Sequence, residues 1–146
     1  MFKMTSLAMG SAAIAATLIA GAVQAAPMDE ARTHFQAIAS GDVAAIMHGY
    51  ADQTQFLWVG GPLDGTYSTH ESIQGVWGKF AKSQGPLKLT VDDIEQAANP
   101  KGATVSANVL FKGKADIKVR YILTYRNDKI VNEVWQIDPK LKVAAH

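Results

Sequence analysis

The fold is decided by residues 37–80, which read AIASGDVAAIMHGYADQTQFLWVGGPLDGTYSTHESIQGVWGKF. Two short apolar patterns of helical spacing meet at Gly41 and Asp42. Glycine is the usual left-handed residue that ends a helix, and aspartate is a common cap at the start of the next one. The run Thr54–Val59 is β-branched and aromatic, which predicts a strand after the second helix.

Three helices are predicted in this half of the chain. The first begins at about Asp29, and the second covers residues 43–50, where the apolar positions fall on one face. Ser68 and Glu71 have the S-x-x-E spacing of a capping box, so a third helix begins there. It runs to about Lys82, before a Gly-Pro pair that stops it.

After residue 86 the apolar period changes from 3.6 to 2, which is typical of strands. Four alternating groups are separated by turn-forming residues: Leu87 to Val91, Val105 to Phe111, Ile117 to Tyr125, and Val131 to Ile137. They predict a four-stranded antiparallel meander. With the earlier strand it forms a five-stranded, curved antiparallel sheet in an α+β domain of order α-α-β-α-β-β-β-β, whose apolar face the helices cover.

The N-terminus predicts export. Lys3 precedes an apolar stretch from Leu7 to Val23, and the small residues before Ala26 suit signal peptidase. We therefore expect residues 1–25 to be a signal peptide, residues 26–146 to form a single domain, and the protein to be periplasmic or secreted. After cleavage no membrane association is expected. The alternative, a membrane anchor, fits less well because the stretch is rich in Ala and Gly and lacks a charged stop.

Composition excludes several function classes. Residues 26–146 hold equal numbers of basic and acidic side chains, which argues against a nucleic-acid partner. The chain has no Cys, so it forms no disulfide and uses no thiolate. Its His residues show no ligand spacing with one another or with acids, so no metal is predicted.

Three short patterns in order carry a resemblance to a known superfamily. They are Ser40-Gly41-Asp42 between the first helices, Tyr50-Ala51-Asp52 before the first strand, and residues 65–73 leading into Trp77 and Phe80. The chain resembles the nuclear transport factor 2-like (cystatin-like) superfamily, in its SnoaL-like and ketosteroid-isomerase-like branch. The resemblance implies a cone with an internal pocket for a small hydrophobic or aromatic molecule. It also admits a homodimer through the outer sheet face, as in many members.

The resemblance does not carry over the isomerase residues. The family's general base falls near Trp58, its oxyanion-binding Tyr near His34, and its protonated acid near Tyr121. None of the three is kept in this chain. Ketosteroid isomerisation by the usual machinery is therefore not expected.

Glu133 is the acid that merits a functional hypothesis. Threading on the family fold points Glu133 inward among apolar neighbours, where burial favours the neutral form of a carboxyl group. With His34 or Tyr121 as a donor beside it, such a group acts as a general acid or base near neutral pH. The alternative is a structural Glu at the mouth of the cone or on a solvated edge, paired with Arg120 or Lys118 across the strands. His34 has a similar alternative as a structural histidine on a half-buried helix.

Large rings form the predicted ligand pocket. The residues expected to line it are Tyr50, Trp58, Trp77, Phe80, Tyr121 and Trp135. Trp77 and Phe80 lie at helical spacing and also suit a plain core. A wall of indoles on the strands favours a flat, apolar ligand.

Three functions stay open from the sequence. The first is an exported protein that binds a small hydrophobic or aromatic molecule without turnover. The second is a cofactor-independent lyase, isomerase or cyclase that uses Glu133, His34 and Tyr121 for proton transfer in a dry cavity. The third is a structural dimer with a filled cone. None of them requires a cofactor.

Overall fold

The computed structural model describes residues 26–144. The predicted signal peptide, residues 1–25, lies outside the described residues. Among the residues that are described, no helix is both long enough and apolar enough to cross a membrane.

Residues 26–144 form three helices and six strands. Their bounds are α1 Pro27–Ser40, α2 Val43–His48, β1 Tyr50–Val59, β2 Gly65–Tyr67, α3 His70–Gln84, β3 Lys88–Asn99, β4 Gly102–Lys112, β5 Asp116–Arg126 and β6 Lys129–Ile137. The strands form one sheet in the order β2-β1-β6-β5-β4-β3. The predicted α+β class and the four-stranded meander are confirmed.

The ends of the helices are capped as predicted, except that the capping box of α3 uses different residues. Gly41 adopts φ 71°, the left-handed end of α1, and Asp42 accepts a hydrogen bond from the Ala45 amide at 3.1 Å. The capping box of α3 is formed by Thr69 and Ser72 instead of Ser68 and Glu71. Each hydroxyl accepts from the other residue's backbone amide, at 3.0 and 3.1 Å, so a shorter polar pair satisfies the same two donors.

The sheet differs from the predicted one in two respects. It has a sixth strand, β2, whose three residues are too few to show a period in the sequence. The remaining pairs are antiparallel, but β1 pairs with β6 in parallel, with Trp58 beside Trp135. Helix α3 and four strands, β2 to β5, separate these two strands along the chain, which supplies the long crossover that parallel pairing needs.

The second helix is shorter and the first strand longer than predicted. α2 ends at His48, and Tyr50 is the first residue of β1 instead of the last of α2. Tyr50 aligns with Ile130 across the sheet, and the register of the pair then shifts before Gln55. This placement turns the Tyr50 side chain into the core, where it is buried.

A bulge in β6 decides which residues face the core. The pairing with β5 passes from Thr124–Asn132 to Tyr125–Ile130, so Val131 is the extra residue. Ile130 therefore occupies the inward position that alternation had given to Val131. Beyond the bulge the predicted alternation holds, and Glu133 and Trp135 are both buried.

The sheet wraps around the helices. Helix α1 packs on β3 and β4, whereas α3 contacts α2 and β1. Apolar side chains from both layers meet in one continuous core. The interior of this core holds the polar and aromatic residues that the sequence singles out.

Candidate functional site

A buried carboxyl group lies at the centre of the domain. Glu133 is 0% exposed, and three side chains donate to it. His34 Nε2 lies 2.7 Å from Oε2, and the Tyr121 hydroxyl donates to the same oxygen at 2.5 Å. The Tyr50 hydroxyl makes a short hydrogen bond to Oε1. Both oxygens thus have partners inside the protein.

Five different elements supply this network, which we call the Glu133 network (Glu133, His34, Tyr50, Tyr121 and Trp77). β6 carries the acid, α1 the imidazole, and β1 and β5 the two phenols. The Trp77 indole on α3 donates to the Tyr50 hydroxyl at 2.8 Å. The network therefore ties every layer of the fold to one carboxyl group.

The phenols of the network act as donors. Burial raises the pKa of Tyr50 and of Tyr121 well above the ordinary phenol value of 10.0, and the adjacent Glu133 carboxyl group raises it further. The Trp77 indole, which stabilises a phenolate, lowers the pKa of Tyr50 but by less. Both hydroxyls accordingly keep their protons at neutral pH and donate them to Glu133.

For a neutral imidazole, the contact with Glu133 also sets the tautomer of His34. A carboxylate only accepts hydrogen bonds, so His34 donates through Nε2–H when Glu133 is ionised. A neutral imidazole with its proton on Nε2 has a bare Nδ1, which is an acceptor. This assignment follows from the hydrogen-bond pattern. His34 Nδ1 has no partner among the described residues.

The three candidate catalytic residues, Glu133, His34 and Tyr121, lie together as the proton-transfer hypothesis requires. Tyr50 joins them, although the sequence predicted it only as a pocket residue. Its role was missed because helical spacing placed it at the end of α2. The Tyr50-Ala51-Asp52 pattern before the first strand was the available signal, since it marks Tyr50 as the residue that enters β1.

The other large rings pack on one another. Trp58 stacks on Trp135 with ring centroids 4.5 Å apart, and Trp135 in turn stacks on Phe111 at 5.2 Å. Phe80 meets Trp135 edge to face at 5.3 Å. Rings held on several sides in this way are rigid, so any surface that they present is preformed.

A pocket of about 460 Å³ opens beside these rings. We call it the aromatic pocket; its lining includes Trp58, Leu63, Phe80, Ile117, Trp135 and Ile137. Three of the six predicted pocket residues, Trp58, Phe80 and Trp135, border it. The other three, Tyr50, Trp77 and Tyr121, belong to the Glu133 network and do not. Leu63, Ile117 and Ile137 are lining residues that the sequence did not indicate as such.

Metal ligation has no support in the described part of the chain. No group of three or more His, Asp or Glu side chains there is arranged to hold a metal ion.

Comparison with known proteins identifies the fold. The sequence matches no protein-family model and no curated protein. Solved structures do match. An NTF2-like protein of unknown function from Pseudomonas putida KT2440 has a TM-score of 0.64 at 16% identity, with 80% of this chain and 89% of that chain covered. An NTF2-like protein of unknown function from Burkholderia xenovorans LB400 has a TM-score of 0.60 at 16% identity, covering 81% and 87%.

A third structure carries a ligand. A hypothetical protein with a ketosteroid isomerase-like fold from Catenulispora acidiphila DSM 44928, in complex with trimethylamine, has a TM-score of 0.57 at 13% identity. Its match covers 76% of this chain and 86% of that chain. At such identities the likeness shows the fold alone. This chain has the NTF2-like cone fold, as its sequence patterns predict.

Proposed function

We propose that this protein binds a small hydrophobic or aromatic molecule in the aromatic pocket. The observation that carries the proposal is the wall formed by Trp58, Phe80 and Trp135, three rings that are fixed by mutual packing and border one pocket. Its volume of about 460 Å³ lies within the range of small-molecule sites. That the neighbour with a ketosteroid isomerase-like fold from Catenulispora acidiphila is in complex with trimethylamine supports a ligand-binding use of this fold.

The polar groups at the pocket indicate how the ligand lies. Lys79, Ser83 and Gln84 border the pocket beside the apolar wall. A flat apolar body would stack on the indoles, while a polar substituent would meet these side chains at the rim. Because the rings need not rearrange, binding would cost little ordering entropy.

Calorimetric titration with a panel of flat aromatic and steroid-like compounds tests the proposal. Ser83→Phe adds a ring at an exposed position that borders the pocket, whereas Gln74→Phe adds the same ring on the same helix outside the pocket lining. We expect saturable binding that Ser83→Phe weakens at least tenfold and Gln74→Phe leaves unchanged. Equal affinity in the two variants, or no binding by any compound, would rule out this pocket as the site.

Proton-transfer catalysis is the second candidate, favoured by the convergence of His34 and Tyr121 on Glu133. In this version the protein is a cofactor-independent lyase, isomerase or cyclase. A substrate would have to displace at least one of the three donors, since both oxygens of Glu133 are occupied. For that reason we place this function second to binding.

A fluorescence titration separates the two candidates. The Trp77 indole belongs to the Glu133 network through its hydrogen bond to Tyr50, so its fluorescence reports on changes in that network. A pH transition near neutrality in the wild type that is lost in Glu133→Gln, together with quenching by a pocket ligand, would support proton transfer. Ligand quenching without such a transition would leave a binding protein.

Export is the remaining part of the proposed function. It is supported by residues 1–25, whose apolar stretch and small-residue end suit a signal peptide. The protein would then act in the periplasm or outside the cell. Mass spectrometry of the protein recovered from its host tests this, since cleavage before Ala26 gives a chain that begins at that residue.

A further inference from the structure

A second pocket lies at the other end of β6 from the aromatic pocket. It has a volume of about 240 Å³ and lies where α1, the α2–β1 turn and the β5–β6 turn meet. We call it the α1–β6 pocket; its lining includes Glu30, His34, Gly49, Tyr125, Asp128 and Lys129. The proposed function does not use this pocket.

Two buried polar atoms of this lining have no hydrogen-bond partner among the described residues. They are His34 Nδ1 and the Tyr125 hydroxyl, and each residue is only 4% exposed. Leaving such groups unpaired is costly, so unpaired groups beside a pocket indicate a missing partner. A Cβ atom built at Gly49 would lie 3.4 Å from His34 Nδ1, which places this nitrogen on the pocket side of the ring.

The kind of partner follows from the hydrogen-bond roles. In the neutral imidazole that donates Nε2–H to Glu133, Nδ1 offers a lone pair to the pocket. The Tyr125 hydroxyl offers two more lone pairs. Glu30 and Asp128 add carboxylates, whereas the one ammonium group in the lining, that of Lys129, already donates to the His48 carbonyl at 2.8 Å. Two carboxylates against one ammonium group leave this lining with a net negative formal charge.

We infer that the α1–β6 pocket binds a small organic ammonium ion that donates N–H groups to His34 Nδ1 and to the Tyr125 phenol oxygen. Glu30 and Asp128 supply the opposite charge. The pocket volume of about 240 Å³ has room for a small alkylammonium ion. An anion would face both acids, and a quaternary ammonium ion would leave both orphan atoms unsatisfied.

Nitrogen-15 NMR of the His34 imidazole measures the proposed contact directly. The probe is n-butylammonium chloride. The controls are n-butanol, sodium butyrate and tetramethylammonium chloride at equal ionic strength, which separate charge, sign of charge and N–H donation. We expect a saturable shift of the His34 Nδ1 resonance with n-butylammonium and none with the three controls.

Matched variants test the individual contacts. Tyr125→Phe removes one acceptor and should weaken n-butylammonium binding roughly three- to tenfold; Tyr67→Phe, a phenol outside the pocket lining, should not. Gly49→Ala, at a position with φ −73°, adds a methyl group against His34 Nδ1 and should also weaken binding. Glu30→Gln should weaken binding, whereas Asp29→Asn, its exposed neighbour, should not.

Several results would overturn the inference. They are the absence of a saturable shift in the wild type, equal binding of n-butanol or tetramethylammonium, binding of butyrate instead, or an unchanged affinity in Tyr125→Phe. Circular dichroism checks that each variant is folded; should Tyr125→Phe not fold, Gly49→Ala and Glu30→Gln decide the result. The aromatic pocket is assayed with uncharged aromatic ligands and Ser83→Phe, so the proposal for either pocket can be disproved without affecting the other.

Discussion

Glu133 is the residue on which most of the buried polar chemistry depends. A carboxylate removed from water is stable only when donors replace its hydration, and here Tyr50, His34 and Tyr121 do so. Removing one donor leaves part of that charge uncompensated.

We therefore expect Tyr121→Phe to lower the free energy of unfolding by about 1.5–3 kcal/mol, the range for hydrogen bonds to charged groups. Urea denaturation monitored by circular dichroism measures it. Tyr67→Phe is the control, since its hydroxyl donates to the Leu63 carbonyl at 2.6 Å and should cost only about 0.5–1.5 kcal/mol. Equal losses in the two variants would contradict a charged acceptor at Glu133.

The buried phenols also predict an alkaline limit to stability. The pKa of Tyr50, Tyr121 and Tyr125 is raised, in each case chiefly by burial. Above pH 10 the unfolded chain releases these protons while the folded chain keeps them, so the folded state binds more protons and loses stability as pH rises. Each phenol contributes about 1.4 kcal/mol per pH unit to this loss.

We expect these phenols to leave the urea concentration of half-unfolding unchanged from pH 8 to about pH 10. Above that pH the midpoint should fall. Absorbance at 295 nm should show that three of the four tyrosines ionise only as the protein unfolds. Ionisation of all four in the folded protein would contradict their burial.

At the scale of the helices, the start of α3 distinguishes the structure from the sequence pattern. Thr69 caps the helix and Ser72 completes the capping box. Thr69→Ala should lower the free energy of unfolding by about 1 kcal/mol, whereas Ser68→Ala should leave it nearly unchanged. Thermal unfolding of the two variants measures the difference. A larger loss of stability in Ser68→Ala than in Thr69→Ala would instead show that Ser68 caps the helix, as the sequence pattern predicts.

Sequence patterns predict the helices and strands but not the position of every side chain. Gly41 and Asp42 give the helix ends because their roles are local, whereas the inward direction of Glu133 follows from the fold resemblance. The bulge at Val131 and the parallel pairing of β1 with β6 depend on contacts between distant segments, which no local pattern records. Tyr50 was assigned to the wrong element for a local reason, because its spacing also fits the apolar face of α2.

The candidate site was predicted in part, also for physical reasons. Glu133, His34 and Tyr121 could be proposed together because the fold resemblance fixes which positions face inward. The aromatic set could not be divided from sequence, since a ring that fills the core and a ring that borders a pocket have the same spacing. Only packing separates Trp77, which donates to Tyr50, from Trp58, which borders the aromatic pocket.

For the whole molecule, the outer face of the sheet predicts self-association. Ile122 on β5 is 45% exposed and lies opposite Val134 of β6, which places two apolar side chains together on that face. We expect a homodimer through this surface, and Ile122→Lys should yield a folded monomer in sedimentation velocity. Lys118→Arg, a change that keeps charge on the same strand, is the control. A monomeric wild type would contradict the prediction.

The position of β6 in the sheet has a consequence for how the chain folds. The last strand in sequence is an inner strand, paired on one side with β5 and on the other with β1, which begins about 80 residues earlier. Until residues 129–137 are in place, β1 and β2 have no strand of the meander to pair with. High sequence separation between paired strands slows folding. Refolding should therefore be limited by this late closure, and a chain shortened before Lys129 should lose the joined sheet altogether.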